Sequence, residues 1–115
     1  MKTVLRASLV ALFALLLLAP QVFAQKAPSD AVDFYNRGLD RHAQGDLDGA
    51  LADYDEAIRR DKAGKLHDAY NNRANIRLAK GDVAGAMADY DKVVQMRPRD
   101  FLGYYNRGVA RLNNA

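Results

Sequence analysis

The sequence predicts an all-α fold, a solenoid of stacked helix–turn–helix repeats, and three observations carry the prediction. The stretch 45–58, GDLDGALADYDEAI, recurs 36 residues later as 81–94, GDVAGAMADYDKVV, and Asp46/Asp82, Ala50/Ala86, Asp53/Asp89 and Tyr54/Tyr90 are among the identical pairs. A self-match at a period between 20 and 50 residues marks a repeat array. Within the unit, Leu47, Ala50, Leu51, Tyr54, Ala57 and Ile58 fall at i, i+3, i+4, i+7, i+10 and i+11, one stripe of an α-helix, and Val83 to Val94 repeat it. A second segment type alternates with the first: Phe34-Tyr35-Asn36-Arg37-Gly38, Tyr70-Asn71-Asn72-Arg73-Ala74 and Tyr104-Tyr105-Asn106-Arg107-Gly108 match one another.

Taken in order, the chain begins with a segment read apart from the fold. Lys2 and Arg6 precede an apolar run over 7–19, Pro20 breaks it, and Val22-Phe23-Ala24 supplies small residues at a cleavage site. This is the pattern of a secretory signal peptide over 1–24, shorter than the ~20 apolar residues of a membrane span. The expected location is therefore periplasmic or secreted. No Cys follows the run, so no lipid anchor is expected there, and the absence of Cys anywhere rules out disulfides and thiolate metal sites. Cleavage removes two bases and no acid, which takes the formal charge from +3 to +1. A near-neutral chain gives no basic patch for nucleic acid.

Residues 25–29 read as a flexible lead-in, and 30–115 as the repeat domain, with repeats over about 31–64 and 67–100 and a partial one over 101–115. Helices are expected at 31–44, 46–60, 66–80, 82–97 and 101–113. Asp46 and Asp82 precede the first apolar residue of their helices and suit N-caps, and Gly45 and Gly81 before them suit tight turns. Pro98 stops the fourth helix.

On these residues the chain resembles the tetratricopeptide repeat family. Phe34, Tyr70 and Tyr104 stand as its early helix A aromatic, Gly38, Ala74 and Gly108 with Ala50 and Ala86 as its small crossing residues, Tyr54 and Tyr90 as its helix B aromatic, and Pro98 as its terminal proline. The resemblance implies a right-handed solenoid whose A helices line a concave groove for a peptide or partner helix. It departs from the pattern at Lys62, where Pro is usual, and at Arg37, Arg73 and Arg107, where Leu is usual. Gly38 is expected to face Ala50, and Ala74 to face Ala86, because helices approach to 8–10 Å only without bulk at the contact. Arg37 and Arg73 need partners on a packed face, and Asp53 and Asp89, sixteen residues on, are the expected ones. Arg107 has no Asp at that spacing.

No catalytic constellation is found, so an enzyme is not expected. His42 and His67 lack a ligand or triad partner at motif spacing. Asp53 and Asp55, like Asp89 and Asp91, alternate along a helix and so point to different sides. No metal or cofactor site follows from the sequence.

The groove implied by the resemblance would be lined by Val32, Tyr35, Asn36, Leu39 and His42 from the first helix, by Asp68, Asn71, Asn72 and Asn75 from the third, and by Leu102, Tyr105, Asn106 and Val109 from the fifth. Asn36, Asn72 and Asn106 form a ladder of amides that both donate and accept, as pairing with an extended backbone requires. The expected partner is a protein or peptide. The alternative is a self-association or assembly piece, or a truncated fragment of a longer repeat scaffold. The fifth helix spreads Leu102, Tyr104, Tyr105, Val109 and Leu112 around its circumference, which suits a homodimer through that helix.

Overall fold

The structure, a computed structural model, describes residues 26–115; segment 1–24, expected to be a signal peptide, lies outside them. Five helices follow one another: α1 (Ala31–Ala43), α2 (Leu47–Arg60), α3 (His67–Ala79), α4 (Val83–Met96) and α5 (Phe101–Asn113). They form an all-α helical repeat solenoid, in which α1 and α2 make one hairpin, α3 and α4 the next, and α5 packs on α4.

Local chemistry fixes the boundaries. The carboxylates of Asp46 and Asp82 each accept from the amide three residues on, Gly49 and Gly85, at 2.9 Å. Asp30 caps α1 in the same manner, and Asp100 caps α5 by accepting from the amide two residues on, Leu102. Leu66, at the N-cap of α3, offers no side-chain cap; Asp61, from the preceding loop, accepts the Leu66 amide at 2.8 Å instead. Gly45 and Gly81 close the hairpin turns at φ +79° and +84°, a left-handed conformation costly for any residue with a Cβ.

The core comes in two clusters, each crossing three successive helices. Ala50 and Tyr54 of α2 meet Ile76 of α3, with Tyr35, Leu47 and Leu51 packed around them. One repeat on, Ala74 of α3, Ala86 and Tyr90 of α4 and Ala110 of α5 meet, with Leu78 and Met87 around them. Each tyrosine thus fastens its own hairpin and the next helix at once, and burial of an aromatic side chain removes roughly 150–250 Å² from water.

The close approach inside the first hairpin differs from the expected one. A Cβ on Gly38 would lie 2.7 Å from Cε1 of Tyr54 and 3.3 Å from Cβ of Asp53, so its nearest neighbours are those two residues and not Ala50. The missing side chain makes room for an aromatic ring, not for a crossing of two small residues. In the second hairpin Ala74 and Ala86 belong to one buried cluster.

Candidate interaction surface

The arginines on the A helices organise the hairpins. Asp53 is 2% exposed. Arg37 grips it with Nε at 2.9 Å and Nη2 at 2.7 Å, and Arg41 adds Nη1 at 3.0 Å. Asp89, 3% exposed, is held identically by Arg73 at 2.9 and 2.7 Å and by Arg77 at 2.9 Å. Two guanidinium groups and a bidentate geometry compensate the desolvation of each carboxylate. The hydrogen bond to Asp53 holds Arg37 above the ordinary guanidinium range.

A third set of pairs runs between repeats. Nη1 of Arg73 reaches Asp55 of the preceding hairpin at 2.8 Å, and Nη1 of Arg107 reaches Asp91 at 2.9 Å. Arg107 therefore has an acidic partner, contrary to the expectation that it lacks one, because its carboxylate comes from the helix before it and not from one after it. The signal was in the sequence: Asp55/Asp91 is one of the identical pairs, and the matched arginines follow 18 and 16 residues later. Each of these arginines also stacks on the aromatic three residues before it, Arg37 on Phe34, Arg73 on Tyr70 and Arg107 on Tyr104, at 5.4 Å in each case. Arg60 covers Phe34 as well, at 4.9 Å, and donates to the Ser29 carbonyl.

The residues expected to line a groove divide into exposed and engaged groups. Val32, Asn36, Leu39, Asp68, Asn75, Leu102 and Tyr105 are exposed, while Tyr35, His42, Asn71, Asn72, Asn106 and Val109 are half-buried. The amide ladder is not free as drawn. Asn72 donates to the Tyr35 hydroxyl at 3.2 Å, and Asn106 donates to Oδ1 of Asn71 at 2.8 Å. These bonds tie each A helix to the one before it. Asn72 and Asn106 keep their carbonyl oxygens without a partner among the described residues. Asn75 accepts the Tyr90 hydroxyl at 2.5 Å, which makes it a hairpin fastener. Tyr35 leans against Tyr54, with ring centroids 5.9 Å apart, and burial together with the Asp68 charge raises the pKa of its hydroxyl.

One polar atom in this region has no partner. The Tyr54 hydroxyl is buried without a hydrogen bond among the described residues. Its counterpart Tyr90 finds Asn75, but 36 residues before Asn75 stands Leu39, which has no acceptor. Burial, with smaller contributions from Tyr35 and Asp53, pushes the Tyr54 pKa up to about 12.

His67 lies between Asp68, 3.0 Å from its Nδ1, and Arg97, whose guanidinium donates to Nε2 at 2.6 Å. This fastens the start of α3 to the end of α4. Among the described residues no three His, Asp or Glu side chains gather as a metal site requires, and no helix is long and apolar enough to cross a membrane.

Helix pairs stacked through shared tyrosines define a helical-repeat protein. The comparison with known families agrees: the model of the tetratricopeptide repeat matches residues 67–100, the α3–α4 hairpin and its flanks, which supports a protein of the tetratricopeptide repeat family. No curated protein matches the chain. The tetratricopeptide repeat is a protein-interaction fold and is generally not catalytic.

Proposed function

We propose that the protein binds a peptide or partner helix along the exposed face of its A helices, without catalysis, and that it works outside the cytoplasm after removal of residues 1–24. One observation carries the binding site: Val32, Leu39, Leu102 and Tyr105 of α1 and α5 remain between 38% and 61% exposed on the A helices. Between them lie Asn71, Asn72 and Asn106, whose amides are already fixed by lateral bonds. A preorganised amide binds at lower entropic cost than a free one, so these bonds suit a recognition surface in which Asn72 and Asn106 keep their carbonyl oxygens unpaired among the described residues. Exposed Asn36 makes no side-chain hydrogen bond among the described residues and keeps both amide functions for a ligand.

Site-specific photocrosslinking tests this reading. A photoreactive residue at Leu39 or Tyr105 should give protein adducts in an extracytoplasmic extract, whereas the same residue at exposed Lys92 of α4 should not. Equal adducts at all three positions would defeat the assignment. A second reading, an assembly piece, is favoured by the exposure of Phe101 (77%) and Leu112 (80%) on α5; a dimer in sedimentation that dissolves on mutation of those two residues would establish it.

A further inference from the structure

The hydrogen bonds that join the A helices α1, α3 and α5 engage donors and spare acceptors. Asn72 of α3 gives its amide nitrogen to the Tyr35 hydroxyl of α1 at 3.2 Å, and Asn106 of α5 gives its own to Oδ1 of Asn71 at 2.8 Å. The carbonyl oxygens of Asn72 and Asn106 have no partner among the described residues. Asp68 stands four residues before Asn72 on α3, a spacing that puts two side chains on the same side of a helix. The two converge on one atom: Asn72 donates to the Tyr35 hydroxyl, and burial first and the Asp68 charge second raise the pKa of that same hydroxyl. The Asp68 side chain is 64% exposed, and its one ion-pair contact among the described residues is Nδ1 of His67 at 3.0 Å, a group charged only when protonated. The arginines of these helices are turned elsewhere. Arg37 and Arg41 hold Asp53, Arg73 and Arg77 hold Asp89, and Arg107 reaches Asp91. None of the residues expected to line the groove is Lys or Arg.

We propose that the middle of the A-helix face receives a Lys or Arg side chain of the partner, between Asp68, Asn72 and Asn106, while apolar side chains of the same partner lie on Leu39 at one end and on Leu102 and Tyr105 at the other. This rests on the reading of that face as the binding surface and adds the chemistry of its occupant. An ammonium or a guanidinium donates hydrogen bonds and accepts none, so either matches a carboxylate flanked by free carbonyl oxygens. An acidic side chain or a phosphate would meet the same groups with repulsion. The Asn71 nitrogen, without an acceptor among the described residues, suits a backbone carbonyl beside the cation.

A random nonapeptide library displayed on phage and panned against the full chain tests the assignment. Enriched sequences should carry Lys or Arg between apolar residues. In anisotropy titrations of a labelled synthetic copy of the strongest binder, norleucine in place of that Lys or Arg should weaken binding about tenfold, as should Asp68→Asn in the protein, and the two together should weaken it little beyond either alone. Asp68→Lys should turn a repeated panning toward Asp or Glu. Asp48→Asn, the same loss of charge on α2, should change nothing. Asp68 is exposed, so its variants should keep the helical circular dichroism of the wild type. The cation assignment falls if enrichment favours Asp or Glu or shows no charge preference, or if Asp48→Asn matters as much as Asp68→Asn. Failure of the groove itself has a different signature: no enrichment at all, or a selected peptide indifferent to Tyr105→Ala, would remove the binding surface and the proposal with it. A homodimer that Tyr105→Asp dissolves would give the face to a second copy and overturn the proposal too.

Discussion

The two buried tyrosines should respond in opposite ways to loss of a hydroxyl. Tyr90→Phe removes a 2.5 Å bond to Asn75. Because Asn75 is exposed and its oxygen returns to water, the loss is about 0.5–1.5 kcal/mol, the net worth of one hydrogen bond. Tyr54→Phe removes a group that is buried and unpaired, a state that costs about 1–3 kcal/mol, so the substitution should be neutral or stabilising by about 1 kcal/mol. Leu39→Asn should reproduce the Asn75 arrangement in the first hairpin. Leu39 is 38% exposed, so little apolar burial is lost, and a gain near 1 kcal/mol is expected with Tyr54 present and none in the Tyr54→Phe background. In a domain of this size 1 kcal/mol moves the Tm by about 4–8 °C, well within reach of thermal melts or urea titrations of the four variants. If Tyr54→Phe destabilises as much as Tyr90→Phe, or if Leu39→Asn acts equally in both backgrounds, the account of the unpaired hydroxyl is wrong.

The glycines provide a second contrast: Gly38→Ala places a Cβ 2.7 Å from the Tyr54 ring and should cost about 1–3 kcal/mol in a melt, whereas Gly108→Ala, with nothing within 4 Å, should gain about 0.5–1 kcal/mol through helix propensity. Asp89→Asn leaves two arginines without their carboxylate and should cost about 2–3 kcal/mol in urea unfolding, while Asp55→Asn, at an exposed pair, should cost under about 1 kcal/mol. In alkali, the Tyr54 pKa of about 12 lies above its ordinary value of 10, so the folded state holds the hydroxyl proton more tightly than the unfolded one. Stability is then fully present below pH 10 and is lost as pH rises through 12; melts of the wild type and Tyr54→Phe across that range should diverge in the wild type's disfavour.

The architecture was readable because it rests on periodic features. A 36-residue self-match, a 3.6-residue apolar stripe and an Asp before the apolar run agree at α2 and α4, and α3 forms without the Asp. What escaped reading was lateral. Which residue fills the space at Gly38 depends on how far α1 and α2 slide along each other, and both Ala50 and Tyr54 lie on the facing stripe. The amide ladder looked free because Asn36, Asn72 and Asn106 share a register, but the stagger of the A helices sets each amide against the residue one position earlier in the preceding repeat, Tyr35 or Asn71. Asn75 likewise read as a groove residue, since only the tilt of the Tyr90 ring shows that it is an acceptor.

The bridge made by Arg73 gives the stack a direction. Each hairpin hands an acid forward, Asp55 or Asp91, and the next A helix reaches back with an arginine, Arg73 or Arg107. The connectors are unlike at the two ends, as plug and socket are, so a hairpin turned end for end would set acid against acid. A hairpin duplicated in tandem would find both couplings already matched. Growth of such an array by copying its own middle unit requires no new residue at the joint, and the coupling forms whether 18 or 16 residues separate the acid from the arginine that receives it.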